Sequence, residues 1–382
     1  MLKGFEQVNV YVEEIGIVKK TIKIENGKIA KICDCKDVSG FEKLADNLIV
    51  VPGFIDEHIH GSAKADNMDG TMDAARTISK TIASEGVTSF LMTTMTEPED
   101  HIEKAMINAK NFINANEYIG AKAIGLHLEG PFVSVKHKGA QPEESIRKPS
   151  VEIFKHYQEL SGNNIKEITF AYEEDGKVLA NYLRDTGVVA SIGHTDATCD
   201  QTLEAIKEGV TCATHVYNAM KPLHHREAGT VGACLLSDDI YCELICDLIH
   251  ICPNAIRLLY KCKGKEKIIL ITDAMRAKHM PDGEYTLGGQ PVFVKNGAAR
   301  LADGTLAGSI LQMNVALKNM QSVLNTSLED TIDFATKNPA KNLGIFDKKG
   351  SIKEGKDADF AIIDKDFNVY MAVSEGHIIY KK

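Results

Sequence analysis

From about Asn47 to Asn342 the chain alternates short, continuous apolar runs with longer stretches whose apolar residues recur at helical spacing. Runs of this kind suit strands buried on both faces, and their alternation with helices argues for a parallel sheet joined by right-handed crossovers. Eight runs can be counted: Ile49 to Ile59, Thr88 to Thr93, Ala123 to Leu128, Glu167 to Ala171, Val188 to Ile192, Cys212 to His215, Tyr241 to Cys246 and Lys267 to Thr272. Between them the spacing predicts helices over Asp73 to Ser84, Pro98 to Asn114, Val151 to Leu160, Lys177 to Arg184 and Cys199 to Lys207. Eight such units predict an α/β fold, a TIM-like (β/α)8 barrel. Tyr285 to Leu306 interrupts the alternation with turn glycines and β-type runs, so a hairpin insertion is expected before a helix beginning near Ser309.

The two ends of the chain have a different texture. Val8 to Val12, Thr21 to Ile24 and Ile29 to Ile32 are short β-type runs, and the Asn26-Gly27 pair between the last two is a strong hairpin signal. Ala358 to Asp364, Val369 to Val373 and Gly376 to Tyr380 read the same way. A small β-sandwich domain is therefore expected from residues 1–46 and 345–382, flanking a catalytic barrel over residues 47–344.

Composition narrows the possible functions. With 44% hydrophobic and 25% charged residues the chain reads as an ordinary globular protein, and no apolar run is long enough to span a bilayer. Met1-Leu2-Lys3-Gly4-Phe5-Glu6 lacks the apolar core of a secretion signal. The nine cysteines are scattered, and neither Cys33-Asp34-Cys35 nor Cys242 with Cys246 has a matching partner pair. Reduced thiols and a cytoplasmic location follow as expectations. A net charge of −9 argues against general binding to nucleic acid or to an anionic membrane, so an anionic small substrate would need a local basic pocket.

The polar residues at the strand ends carry the chemistry. His58 and His60 sit two positions apart on a strand, so both imidazoles project from one face at metal-ligand spacing. The third run ends in Glu129, the fifth leads to His194, the sixth to His215, the seventh to Asp247 and His250, and the eighth to Asp273. Taken alone, each histidine reads as a core residue and Asp273 as a helix cap. In a barrel, however, all of these positions converge on one mouth. Four histidines and a carboxylate suit Zn²⁺ or Fe²⁺ better than Mg²⁺ or Ca²⁺. Five ligands exceed the needs of one open catalytic ion, which leaves Glu129 to bridge two, with His58 and His60 on one and His194 and His215 on the other. His127 shares the strand parity of Glu129 and reads equally as a core residue.

The order His-x-His, strand-end Glu, His, His, Asp resembles the amidohydrolase superfamily. The longer stretches Leu128-Glu129-Gly130-Pro131-Phe132, Gly193-His194-Thr195, Thr214-His215-Val216-Tyr217-Asn218-Ala219-Met220 and Thr272-Asp273-Ala274-Met275 are similar to those of the N-acetylglucosamine-6-phosphate deacetylase family within it. The resemblance covers nearly the whole chain. It implies a metal-dependent hydrolase of amino-sugar catabolism in which hydroxide generated on the metal attacks the acetamide carbonyl. Asp273 would act as general base and then acid, and His250 would hydrogen-bond the carbonyl oxygen. It further implies a phosphorylated N-acetyl amino sugar as substrate, with Asn218, the backbone amide of Ala219 and Arg226 on the phosphate. A homodimer is implied as well, with Arg226 in its own or the neighbouring subunit's site.

Three features depart from the family pattern. Gln141 stands where some relatives carry a substrate-contacting histidine, and it retains the capacity to hydrogen-bond a sugar hydroxyl. Asp247-Leu248-Ile249-His250 and Arg226-Glu227-Ala228-Gly229 vary the usual Asp-Gly-x-His and Arg-Glu-Pro-Gly. Two other readings stand beside the deacetylase: a different metal-dependent amide or amidine hydrolase on the same barrel, and a non-catalytic scaffold.

Overall fold

The computed structural model describes all 382 residues. Eight parallel strands form the central sheet in chain order: Phe54–Ile59, Val87–Thr93, Lys122–Glu129, Ile165–Phe170, Val189–Ile192, Cys212–Ala213, Tyr241–Ile245 and Ile268–Ile271. The sheet curls into a barrel whose seam closes just beyond the end of the last strand. There the Asp273 N–H donates to the His58 carbonyl at 2.8 Å, and the His60 N–H donates to the Ala274 carbonyl at 3.0 Å. The rim is thus sealed by the backbone of the segments that carry candidate functional side chains.

Helices Met72–Ala83, Glu99–Ala115, Val151–Leu160, Lys177–Thr186 and Cys199–Glu208 lie close to their expected positions. Local signals set their starts: Thr71 and Ser150 accept from the third helical amide, and Thr198 forms a reciprocal capping box with Gln201. The insertion after the eighth strand is a three-stranded antiparallel sheet, Gly283–Leu287, Gln290–Lys295 and Ala298–Arg300. The following helix starts at Met313 instead of near Ser309, because Ser309 is held in the loop, its N–H donating to the Asp273 carbonyl at 2.7 Å.

One expected strand divides in two. Ile49–Pro52 joins the terminal sheet, between Gly4–Val12 and Phe360–Ile363, while Phe54–Ile59 opens the barrel. Gly53 makes the switch, and a Cβ there would lie 2.1 Å from Thr88 Oγ1. Both halves are buried, so hydrophobicity runs through the break without a signal. The terminal sheet has seven strands, drawn from both chain ends, and takes in residues up to Pro52. Its own small core includes Phe5, Val10, Ile22, Val50, Phe360 and Ile362, with Phe5 and Phe360 packed edge to face at 5.8 Å. The predicted turn at Asn26-Gly27 joins two of its strands, with φ of 52° and 76° at the two positions.

The segment after Asp273 is anchored by a buried ion pair. Lys278 Nζ lies 2.9 Å from Glu85 Oε2, and neither side chain is exposed. Glu85 also accepts from the Met313 N–H at 2.8 Å and faces His279 Nε2 at 2.9 Å. Removing one member of such a pair strands a buried charge at a cost of about 3–5 kcal/mol, whereas an exposed pair such as Lys19–Asp46 contributes about 0–1 kcal/mol. Lys278→Met is therefore expected to lower the urea-unfolding free energy several-fold more than Lys19→Ala. Equal losses would contradict the anchoring role.

Candidate metal centre and active-site pocket

The candidate ligands reach the barrel mouth in two ways. His58 lies in the first strand, with His60 just beyond it and on the same face; their rings are 5.3 Å apart. Glu129 is the last residue of the third strand. His194, His215 and Asp273 instead stand two residues past the ends of the fifth, sixth and eighth strands, and all three have left-handed backbones, with φ of 47°, 31° and 46°. For a residue with a side chain this conformation costs roughly 1–3 kcal/mol and persists only where the surroundings hold it. The His215 N–H donates to Glu243 Oε2 at 3.1 Å, and the His194 carbonyl accepts from Ser134 at 2.8 Å. Asp273 is held through both its amide and its carbonyl. It also lies against Gly308, where an added Cβ would come within 3.1 Å of the Asp273 carbonyl oxygen.

Glu129 is the centre of the arrangement. Its Oε1 lies 3.1 Å from His194 Nε2, 3.2 Å from His215 Nε2 and 3.7 Å from His58 Nε2, while Oε2 lies 3.2 Å from His60 Nε2. Asp273 Oδ1 is 3.2 Å from His60 Nε2 and 3.6 Å from His58 Nε2. Two donor groups result, His58–His60–Glu129 and Glu129–His194–His215, sharing the one carboxylate. Their chemistry fits a cation. His194 Nδ1 faces the His137 carbonyl at 3.0 Å, and His58 Nδ1 faces Glu243 Oε2 at 3.0 Å. Both partners only accept, so both rings carry the proton on Nδ1 and, when neutral, turn an Nε2 lone pair toward the Glu129 oxygens. Converging nitrogen and oxygen lone pairs at a buried point are the donor set of a borderline divalent metal.

The electrostatics point the same way. Burial disfavours a charged His58, but Glu243, Glu129 and Asp273 outweigh it and raise its pKa to about 9. His60 is likewise raised, its burial overcome by Asp273 and Glu129. Burial acts against the Glu129 carboxylate, yet the surrounding histidines hold it well below the usual range; Asp273 is lowered by His60 and His58 against the same opposition. His127 differs. Burial and the neighbouring His58 push it down to about 3, and it sits between the Glu57 carbonyl and Thr169 Oγ1 as a neutral core residue.

These residues open on a cavity of ≈ 200 Å³. His60, Glu129, His194, His215, Asn218, His250 and Asp273 supply its polar lining, and Met95, Ile245, Leu287 and Leu306 an apolar wall. Gln141 and Ala219 also line it. Gln141 is committed to the protein at both ends of its amide: Nε2 donates to Glu129 Oε2 at 3.0 Å, and Oε1 accepts from the Thr96 N–H at 2.8 Å. Arg226 is not brought into the pocket; it lies on the exposed loop after Met220, against His225 Nε2 at 2.7 Å.

Several residues that serve the site carry no role in the sequence reading. Glu243 backs His58 and His215 from inside the barrel. Asp247 Oδ2 lies 2.6 Å from His250 Nδ1 and fixes that ring. Asp56 accepts from the Thr272 hydroxyl at 2.6 Å, next to Asp273. A carboxylate inside an apolar strand, as at Glu243 in Cys242-Glu243-Leu244, was the signal available for the first of these.

Comparison with known proteins supplies the family context. The amidohydrolase family pattern matches residues 49–379. The N-acetylglucosamine-6-phosphate deacetylase of Bacillus subtilis (strain 168) is 43% identical, over 97% of each chain. The crystal structure of the Thermotoga maritima N-acetylglucosamine-6-phosphate deacetylase superposes with a TM-score of 0.90 at 36% identity, over 99% of this chain and 100% of that one. A mutant Mycobacterium smegmatis enzyme in complex with N-acetyl-D-glucosamine-6-phosphate superposes with a TM-score of 0.91 at 28% identity, over 98% of each chain.

Zinc titrations of metal-free protein against a competing chelator check two expectations. Glu243→Gln loosens His58 and is expected to weaken binding about 10–100-fold. Because His58, raised to about 9, and His60, also raised, hold protons that a metal must displace, apparent affinity should climb with pH until about 9 and then level. The stability of the metal-free protein moves oppositely: the contribution of charged His58 is complete below about 6.5 and is lost as pH rises through about 9. A flat pH profile, or unchanged affinity in Glu243→Gln, would contradict these assignments.

Proposed function

The chain belongs to the amidohydrolase family, in its N-acetylglucosamine-6-phosphate deacetylase branch, and we propose that it hydrolyses N-acetylglucosamine 6-phosphate to glucosamine 6-phosphate and acetate in amino-sugar catabolism. The observation that carries this reading is the convergence of Glu129, His60, His194, His215, Asp273 and His250 on one partly apolar pocket, with His58 against Glu129 behind them.

Glu129, His194 and His215 would hold one Zn²⁺ or Fe²⁺, and His58 and His60 a second, with Glu129 bridging the two. Bound there, such ions supply Lewis acidity toward the amide carbonyl and lower the pKa of water. The chain's own residues do the rest. Asp273, kept ionised by the adjacent histidines, takes a proton from the attacking water and returns it to the leaving amine nitrogen. His250, fixed at Nδ1 by Asp247, has Nε2 left to face the substrate carbonyl oxygen, where negative charge develops. Gln141 holds the Glu129 carboxylate in register with the His60 side of the site. The wall formed by Met95, Ile245, Leu287 and Leu306 suits the acetyl methyl group.

The phosphate would be met by Asn218, the Ala219 amide and Arg226, whose planar fork matches phosphate oxygens. Arg226 stands outside its own chain's pocket in a loop that also carries Lys221, His224 and His225, which supports a homodimer in which this loop reaches the neighbouring site. A phosphorylated sugar and nine unpaired cysteines fit a cytoplasmic enzyme, and no helix is long and apolar enough to cross a membrane.

Acetate release from N-acetylglucosamine 6-phosphate, compared with the unphosphorylated sugar, tests the proposal. The phosphorylated sugar should react far faster. Asp273→Asn should cost about 10²–10⁴-fold in kcat, the usual worth of a positioned acid–base group, and Arg226→Ala should act chiefly by raising KM. Equal rates on the two sugars, or undiminished turnover in Asp273→Asn, would overturn the reading.

A further inference from the structure

A second cluster of donors lies deeper in the barrel, behind Glu243. Ligand atoms of Glu57, Glu167, Cys212 and Glu243 all fall within 4.8 Å of one another, and none of the four residues has any solvent exposure. They come from the first, fourth, sixth and seventh barrel strands. No residue of the catalytic pocket shares the cluster.

The hydrogen bonding leaves this cluster incomplete. Glu57 commits Oε1 to the Asn342 amide at 3.1 Å, and its Oε2 has no partner. Glu243 commits Oε2 to His58 Nδ1 and the His215 amide, and its Oε1 has no partner. Glu167 is the telling member. It is wholly buried and aimed into the cluster, and neither of its carboxylate oxygens is met by a well-formed hydrogen bond, although the Ser191 hydroxyl and Cys212 thiol lie beside it. Free oxygens from three carboxyl groups therefore converge with the Cys212 sulfur where no lysine or arginine enters; burial and mutual repulsion push Glu57, Glu167 and Cys212 well above their ordinary pKa values, so the cluster is held together either by protons or by a cation.

We propose that Glu57, Glu167, Glu243 and Cys212 form a closed structural site for a divalent transition-metal ion of the zinc class, deeper in the barrel than the catalytic centre and joined to it through Glu243. The thiolate selects such an ion over Mg²⁺ or Ca²⁺, which favour all-oxygen shells. In a tetrahedral site, oxygens at about 2.0–2.2 Å and sulfur at about 2.3 Å from the ion lie about 3.4–3.6 Å from one another, so side chains whose ligand atoms already fall within 4.8 Å would close inward by about 1 Å around the ion. Four protein donors with no open position mark a structural ion. Glu243 belongs to both centres: one oxygen faces this site and the other holds His58, so the ion would fix the orientation of a catalytic ligand from behind.

Cobalt substitution tests the site without reference to activity. The ligands around Glu129 are nitrogen and oxygen only, so a sulfur-to-cobalt charge-transfer band in the near ultraviolet cannot arise there. Metal-free protein reloaded with Co²⁺ should show that band and take up one ion more than the Glu129 centre accounts for. Cys212→Ser and Glu167→Gln should each lose the band and that one equivalent, while the Glu129 centre still fills. X-ray absorption on zinc-loaded wild-type protein gives a reading that does not depend on variants folding, and a sulfur neighbour near 2.3 Å is expected. No sulfur shell and no band in the wild type, or metal content unchanged in both variants, would mean that protons neutralise the cluster and would overturn the proposal.

Discussion

A carboxylate with 2% of its surface exposed, Glu129, faces four imidazoles at the mouth of an apolar barrel, and most of the local architecture follows from stabilising that charge. Desolvation alone would drive a proton onto it. The histidines prevent this, and they do so with side chains delivered from three different strand ends. Two of them, together with Asp273, require left-handed backbones that hydrogen bonds from neighbouring segments hold in place. The same carboxylate is common to the two donor groups, so the geometry that compensates its charge in the folded chain is also the geometry that invites a cation.

Behind the ligands stands a layer that sets their direction. Glu243 orients His58, the His137 carbonyl orients His194, Asp247 orients His250 and Gln141 ties Glu129 to the Thr96 amide. The barrel seam contributes as well, because its closing hydrogen bonds join the backbone of His58 and His60 to that of Asp273 and Ala274. Catalytic positioning and barrel closure therefore share the same few peptide groups. The Lys278–Glu85 pair extends that coupling to the segment leading toward the three-stranded insertion, whose Leu287 reaches the pocket wall.

Much of this was legible in the chain itself. Alternation of apolar runs and helical stretches indicated the barrel, and His-x-His with five further polar strand ends indicated one convergent mouth. Three things were not legible, for physical reasons. The break at Gly53 is silent because both flanking strands are buried and equally apolar. The sixth strand is shorter than its pattern, since His215 turns into the left-handed region and cannot continue the ladder. The roles of Glu243 and Gln141 depend on contacts between residues distant in sequence, which periodicity does not encode; Arg226, singled out for phosphate, lies outside the pocket of its own chain.

The most direct test of the account is anomalous diffraction at the zinc and iron edges from crystals of the protein as purified. The account predicts a peak between Glu129 Oε1 and the Nε2 atoms of His194 and His215, with a second on the His58–His60 side of the same carboxylate. Diffraction showing no anomalous scatterer beside Glu129, and its oxygens hydrogen-bonded directly to the histidines, would contradict the claim that this convergence is a metal centre.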